Sequence, residues 1–168
     1  LLNQNGEQLP LITESGEKDS DSLYDRIYPI TKSRQEIVFH NIDSKPIPSL
    51  LRNFSAPIKL EYSYTQEELY FLMVHDTDGF NRWNAGQSLA SQVITSLQLG
   101  ESDKIDEASK IISKAFRLLL NDSLNKKELD KAMLAHILEL PSEGSLIEQA
   151  RVAVVDAIHI ARESVADF

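Results

Sequence analysis

This chain of 168 residues lacks several sequence features from which a function is usually inferred. It contains no cysteine, which excludes disulfides and thiolate metal sites and fits a reducing compartment. It contains neither an HExxH zinc motif nor a glycine-rich phosphate loop. No apolar run approaches the roughly 20 residues that span a bilayer, and no signal peptide leads the chain. We therefore expect a cytoplasmic protein with no membrane contact.

The net charge of −9 is distributed unevenly along the chain. Residues 1–64 carry 9 acidic and 7 basic side chains (−2), whereas residues 65–168 carry 17 acidic and 10 basic ones (−7). Because an acidic surface repels phosphate backbones, the composition argues against a nucleic-acid partner.

The two ends and the middle of the sequence indicate a piece of something larger. The chain begins at Leu1 without an initiator methionine, and a helical pattern still runs at Phe168. The sequence pattern changes near residue 65, with no flexible linker between its two parts. We therefore expect an internal segment, truncated at both ends, of a longer polypeptide.

Residues 1–64 have the pattern of a small, incomplete β-sandwich. The Asn5-Gly6 pair predicts a tight hairpin, since both residues accept positive φ. Residues 13–21 are polar and turn-rich, which predicts a loop, and residues 36–42 form an apolar, β-branched run. The clearest predicted strand is 58–64, whose alternation places four side chains on one buried face: Ile58, Leu60, Tyr62 and Tyr64.

Residues 65–168 have the pattern of five amphipathic helices joined by short links. Each predicted helix opens on a capping signal: Thr65 with Glu68, Asp78, Ser102 with Asp103, Asn125 with Glu128, and Ser145 with Glu148. Pro141 closes the fourth helix, and the fifth runs to the end of the chain. Such a series predicts an α-helical bundle or the start of an α-solenoid.

Two short patterns could be metal sites, and both have a better structural explanation. His159 and Glu163 are one helical turn apart, but no third zinc ligand has a suitable spacing, so a solvated pair is favoured. Residues 76–79 resemble the opening of a calcium loop, but Gln87 stands where a bidentate glutamate is needed. A helix-capping turn is therefore the preferred interpretation.

The remaining candidate residues are also interpreted as structural. His75 and His136 lie beside apolar residues in predicted helices, which favours a core or boundary position, and His40 lies in a predicted strand. Trp83 falls on an apolar stripe and is interpreted as a core anchor. We therefore assign no catalytic, cofactor-binding or metal-binding residue to this chain.

The junction between the two parts closely resembles the bacterial aminopeptidase N family. The resemblance is carried by Phe54-Ser55-Ala56-Pro57-Ile58-Lys59-Leu60-Glu61-Tyr62, by residues 68–75 and by residues 80–89, with weaker likeness at 36–51, 116–122 and 140–143. In that family, this stretch links a small immunoglobulin-like β domain to a C-terminal helical domain. The resemblance therefore implies a partial immunoglobulin-like sandwich over 1–64 and the first helices of an α-helical domain over 65–168.

The resemblance also implies what the parent protein does. Members of the family are zinc-dependent enzymes that remove N-terminal amino acids from peptides, with the β domain as a spacer and the helices as a cap over the active-site chamber. The family's zinc-binding and substrate-amine motifs do not occur in this sequence, so no catalytic or zinc residue is carried over. The implied partners are the catalytic domain and remaining helices of the same polypeptide and, for the parent, peptide substrates.

An alternative belongs to another class of function. The chain could be a stand-alone protein-binding scaffold, made of an immunoglobulin-like module followed by an α-solenoid. A scaffold is expected to end in a polar capping helix, whereas residues 152–168 keep their apolar stripe. This feature favours the aminopeptidase segment over the scaffold.

Overall fold

The computed structural model describes residues 1–13, 23–100, 102–125 and 131–166, without the side chains of 102–108 and 122–125. The chain separates into two compact units, Leu1–Leu60 and Glu61–Phe168. The predicted loop at 13–21 falls almost wholly outside the described residues, as does the Glu128 half of the capping box predicted at Asn125.

Leu2 is the centre of the backbone pairing in the first unit. It forms antiparallel bridges with Gln8 on one side and with Ile47 on the other, and its side chain is fully buried. The Leu2 and Ile47 amides each donate to the other's carbonyl at 2.9 Å. Pro46 and Pro48 flank Ile47 and have no N–H to donate. In an antiparallel pair the N–H positions of these flanking residues face away from Leu2, so the prolines remove donors from the opposite edge of this segment.

The hairpin predicted at the Asn5-Gly6 pair is formed, with one difference in its geometry. The Gly6 amide donates to the Asn3 carbonyl at 3.1 Å, and the Asn3 amide donates to the Glu7 carbonyl at 2.9 Å. Only Gly6 of the pair has a positive φ, of 84°. This is a three-residue hairpin loop with glycine at its left-handed position, rather than a two-residue turn.

The strand predicted at 58–64 was wrong, and the described residues contain isolated bridges but no continuous strand. The amides of Ile58 and Tyr64 donate to the carbonyls of Ala56 and Tyr62, two residues back, so these backbone bonds are local. Ile58 is 61% exposed, and Leu60 and Tyr62 are exposed as well. Alternation predicts a buried face only where a second layer covers it, and among the described residues these three side chains remain exposed.

The second unit is helical, with six α-helices among the described residues. They are α1 (Gln66–His75), α2 (Gly79–Gln98), α3 (Ser102–Asn125), α4 (Lys131–Leu138), α5 (Glu143–Gln149) and α6 (Val155–Ala166). None of these helices is long and apolar enough to cross a membrane, as far as the described residues extend.

The first two helices begin where the sequence predicts them. The Thr65 hydroxyl accepts from the Glu68 amide at 3.2 Å, and the Glu68 carboxylate accepts from the Thr65 amide at 3.1 Å. Asp78 accepts from the Asn81 amide at 2.8 Å. Both arrangements satisfy amides that a helix start leaves without an intrahelical partner.

The helix α2 is the centre of this unit and packs against α1, α3, α4 and α6. One of its faces is buried: Asn81, Ala85, Gly86, Leu89, Ala90, Val93 and Ile94. A Cβ atom at Gly86 would lie 3.4 Å from the Ile137 carbonyl oxygen, so glycine lets α2 and α4 approach closely.

The single helix predicted from Ser145 to Phe168 was wrong, because the chain forms α5 and α6 with a break at 150–154. Ser142, not Ser145, caps α5, and its hydroxyl accepts from the Ser145 amide at 3.1 Å. Ala150 ends α5 in an extended conformation (ψ 133°). Val152, Val154 and Val155 follow it, and β-branched residues lower helix propensity.

Candidate functional site

The His159–Glu163 pair predicted from spacing was wrong, because His159 bonds to a different helix. Its Nδ1 lies 2.7 Å from Oε1 of Glu143 on α5, whereas Glu163 accepts from the neighbouring Arg162 at 3.0 Å. The hydrogen bond that the Glu143 carboxylate accepts, and then the negative charge of that carboxylate, raise the pKa of His159 above its usual range. The pair therefore links α5 to α6 across the break between them.

The donor groups of the described residues do not fit a zinc ion. Within the described ranges, no cluster of three or more His, Cys, Asp or Glu side chains is close enough to hold a metal. His159 and Glu143 supply two groups at an exposed position, which is fewer than a zinc site uses.

Residues 76–79 form the turn between α1 and α2. Asp76 ends α1, and its Oδ1 accepts from the Asp78 amide at 3.0 Å. Asp78 caps α2, and both aspartates are buried. These side chains therefore act in the helix-capping turn that the sequence favours over a calcium loop.

The core or boundary position predicted for His75 and His136 was wrong, because both side chains are exposed. The His75 ring lies 4.8 Å from the Phe71 ring, between centroids, and His136 lies 3.4 Å from Glu139. These contacts are made at the surface of the helical unit.

Trp83 is also not the buried anchor that the sequence predicts. Its indole is half-buried and stacks at a tilt on Phe80, with 5.7 Å between ring centroids, and Phe80 is itself exposed. The α2 stripe that is buried runs through Ala85, Leu89 and Val93 instead.

The helical unit has a groove that the sequence analysis missed. This groove has a volume of about 1070 Å³ and lies between α2, the start of α1, α5, the break at 150–152 and α6. Both polar and apolar side chains of α2 line one wall of the groove. The uncharged polar ones are Ser88, Ser91, Gln92, Thr95, Ser96 and Gln98. The opposite wall includes Leu146, Gln149 and Ile158.

The groove carries two charged side chains of opposite sign, Glu67 and Arg151. Hydrogen bonds from its own backbone amide and from the Thr65 side chain hold the pKa of Glu67 below its usual range, so its carboxylate is ionised at neutral pH. The groove is therefore close to neutral, although the chain as a whole carries −9.

A smaller depression of about 430 Å³ continues from the groove. The two share Ser88, Ser91 and Gln149, and the smaller one extends to Trp83 and Pro141. The Gln87 side chain lines it and donates to the Glu139 carbonyl at 2.7 Å, which ties α2 to the end of α4.

Two family models match consecutive parts of the chain. Residues 1–63 match a domain of unknown function, DUF3458, described as an Ig-like fold. Residues 66–167 match the domain of unknown function DUF3458_C, described as ARM repeats. The chain belongs to the DUF3458 family. The order of its two domains, an Ig-like one and then a helical one, is the order expected from the resemblance.

Curated relatives of this DUF3458 segment are aminopeptidases N. The chain is 36% identical over 133 residues to aminopeptidase N of Escherichia coli (strain K12), covering 79% of the chain and 15% of the relative. It is 34% identical over 164 residues to aminopeptidase N of Haemophilus influenzae, covering 96% of the chain and 18% of the relative. The chain thus spans less than a fifth of the length of these relatives.

A solved structure resembles the DUF3458 segment as well. The crystal structure of Legionella pneumophila aminopeptidase A in complex with aspartic acid matches with a TM-score of 0.64 and 35% sequence identity. The match covers 78% of this chain and 15% of that one. The aminopeptidase N resemblance drawn from the residues at the junction is therefore confirmed, and the chain is homologous to a segment of a larger aminopeptidase.

Proposed function

We propose that this chain is a non-catalytic structural segment of a zinc-dependent aminopeptidase N, which removes N-terminal amino acids from peptides. The observation that supports it most is the consecutive match of both family models, combined with 34% identity over 164 residues to one aminopeptidase N. The described residues offer no three-ligand metal cluster, so zinc and the groups that activate water belong to another part of the parent.

In this proposal the two units have different tasks. The Ig-like unit, residues 1–64, is a spacer packed on the catalytic domain, and the helical unit, residues 65–168, begins the cap over the active-site chamber. The capped starts of α1 and α2 and the buried face of α2 support a rigid cap, since a helix held on several sides deforms little. We place the parent protein in the cytoplasm, which agrees with its lack of cysteine in this segment.

A segment exchange tests the proposal. The homologous segment of Escherichia coli aminopeptidase N is replaced by this chain, and release of 4-nitroaniline from an aminoacyl-4-nitroanilide is measured with and without a zinc chelator. We expect chelator-sensitive activity from the chimera and none from the isolated chain. A chimera carrying Leu89→Asp is the control, because a charge at that fully buried position disrupts the cap.

A protein-binding scaffold is the second candidate, and the ARM-repeat description of residues 66–167 favours it. Stacked helical repeats present extended concave surfaces that commonly bind other proteins. A folded, zinc-loaded chimera without activity would contradict the aminopeptidase role and favour the scaffold.

A further inference from the structure

Asn5 is the one asparagine of this chain that precedes a glycine. Because glycine has no Cβ atom, its backbone nitrogen can be approached closely by other groups. When that nitrogen attacks the side-chain carbonyl of the preceding asparagine, the two residues close into a succinimide ring. The Asn5-Gly6 pair therefore meets the covalent requirement for spontaneous deamidation, the loss of a side-chain amide as ammonia.

The structure places Asn5 at the exposed tip of the hairpin in the first unit. Its backbone amide donates to Oδ1 of Asn3 at 2.9 Å. Its side-chain amide makes no hydrogen bond within the residues that the structure describes, so it can rotate toward the Gly6 nitrogen. The reacting side chain is thus both accessible to water and unrestrained.

The attacking nitrogen is restrained by the turn. The Gly6 amide donates to the Asn3 carbonyl at 3.1 Å. The Asn3 side chain helps to hold this turn closed, since its Oδ1 accepts from the amides of Asn5 and Glu7 at 2.9 and 3.0 Å. Exposed loops open locally at a low cost in free energy. The rate of attack is therefore set by how often this turn opens.

The Asp78-Gly79 pair has the same backbone chemistry in a different environment. Asp78 is 6% exposed, and its Oδ1 accepts from the Asn81 amide at 2.8 Å. Gly79 begins α2, where an added Cβ atom would lie 2.9 Å from Cε of Met133. Such close packing hinders the rotation that ring closure needs. The reactivity of Asn5 thus follows from its exposed turn as well as from the glycine beside it.

We propose that Asn5 is a site of spontaneous deamidation, with water as the co-reactant, and that the isoaspartyl product opens the hairpin. The Gly6 nitrogen bonds to Cγ of Asn5, and the side-chain nitrogen leaves as ammonia with the proton that the Gly6 nitrogen has lost. Water then opens the ring at one of its two carbonyls. Breaking the bond from nitrogen to Cγ gives aspartate, and breaking the bond from nitrogen to the main-chain carbon gives isoaspartate. The net change consumes one water and releases one ammonia.

Isoaspartate lengthens the hairpin loop. Its main chain runs through the former side-chain carbon, which adds one methylene group between residues 5 and 6. The Asn3 amide closes the loop by donating to the Glu7 carbonyl at 2.9 Å, and loop length fixes the register of the pairs that follow. The next pair is the bridge between Leu2 and Gln8. We therefore expect an aged chain to lose this pairing, while the helices of the second unit keep theirs.

The modification is measured by incubating the chain at mildly alkaline pH for several weeks. The tryptic peptide 1–18 is then analysed by mass spectrometry with electron-transfer fragmentation, which distinguishes isoaspartate from aspartate. We expect the mass increase of an NH₂ group replaced by OH at residue 5. Asn3 lies in the same peptide and precedes Gln4, so it is the internal control and should stay unchanged. Asp78 should contain no isoaspartate.

A blocked synthetic peptide of residues 1–9 gives the rate for the open chain. The rate in the folded chain should be no more than about a hundredfold lower, because a few exposed hydrogen bonds hold the turn. Asn3→Ala removes the side-chain acceptor of the turn and should raise the rate about fivefold. Asn5→Gln moves the amide one carbon further from the Gly6 nitrogen and should stay unmodified over the same period.

Hydrogen exchange at the Leu9 amide reports the hairpin, since this amide donates to the Leu1 carbonyl at 2.9 Å. Exchange should be at least about tenfold faster in the isoaspartyl chain than in the fresh chain. It should be unchanged in Asn5→Gln. The Ile158 amide, which donates to the Val154 carbonyl in the helical unit, is the control and should exchange at the same rate in all samples.

Three results would overturn the proposal. The first is a rate at Asn5 more than about a hundredfold below that of the synthetic peptide, which would mean that the turn protects it. The second is equal modification of Asn3 and Asn5, and the third is unchanged Leu9 exchange in the isoaspartyl chain. None of these measurements involves peptidase activity, so an inactive chimera would contradict the proposed function and leave the assignment of Asn5 standing.

Discussion

Truncating Leu89 should destabilise the helical unit more than any change at its surface. Leu89 lies midway along α2 and is fully buried, with Val93 one turn further on the same face. Leu89→Ala removes three carbon groups, which corresponds to about 2.4 kcal/mol of lost transfer free energy. The cavity left behind adds to this, so we expect a total loss of about 3–4 kcal/mol in the free energy of unfolding.

The measurement is urea unfolding followed by circular dichroism at 222 nm, which reports the helical unit. Leu118→Ala is the matched control, because Leu118 is 39% exposed on α3 and its truncation should cost about 1 kcal/mol or less. The dependence of the unfolding free energy on urea should stay the same in both variants. A loss below about 1 kcal/mol for Leu89→Ala, or equal losses for the two variants, would refute the packing described for α2.

Three further predictions concern single side chains. Thr65→Ala removes one half of the α1 capping box and should cost about 1 kcal/mol, whereas Thr95→Ala, in the middle of an exposed helix face, should change the unfolding free energy by less than half of that. Glu143→Gln should lower the pKa of His159 toward its ordinary value of 6.5, as measured from the ring proton shifts against pH. Because folding raises the pKa of His159, the stability that the pair contributes is present below the unfolded pKa and is lost as pH rises through the folded pKa. Trp83→Ala should cost less than the 3–5 kcal/mol typical of a buried aromatic residue, and should remove most of the intrinsic fluorescence, because the chain has 1 tryptophan.

Each of these expectations has a contradicting outcome. A capping box that contributes nothing would leave Thr65→Ala and Thr95→Ala equally stable. A His159 pKa unchanged by Glu143→Gln would mean that the 2.7 Å contact does not persist in solution. A cost above about 4 kcal/mol for Trp83→Ala would restore the buried anchor that the sequence predicts.

Features decided by neighbouring residues were predictable from the sequence. The Thr65–Glu68 capping box and the Asp78 cap depend on groups three residues apart, and both are present as predicted. The turn at Gly6 depends on a single residue that tolerates positive φ. The junction residues that resemble aminopeptidase N also lie close together in the chain, and the family assignment followed from them.

Features decided by distant contacts were not predictable. The alternation at 58–64 contains no information about whether a second layer covers Ile58 and Leu60, which are exposed. The spacing of His159 and Glu163 does not show that Glu143, 16 residues away, competes for the imidazole. The partial exposure of Trp83 likewise depends on how closely other helices approach α2.

The groove was missed because one of its walls was predicted as continuous helix. Residues 150–152 form part of that wall only because α5 ends at Gln149, and the predicted helix ran straight through them. One signal was available in the sequence. Residues 83–99 contain no charged side chain, which is unusual for a helix that has an exposed face.

The two prolines beside Ile47 have a consequence for solubility. Extended segments that expose apolar side chains and unused backbone donors can recruit the same segment of another copy and start aggregation. The first unit has such apolar side chains, among them Ile27 and Val38. Pro46 and Pro48 remove two donors from the edge of this segment that faces away from Leu2, so a neighbouring copy that adds a strand there finds no backbone N–H at these two positions. The prolines therefore protect this edge of the unit from intermolecular β-assembly.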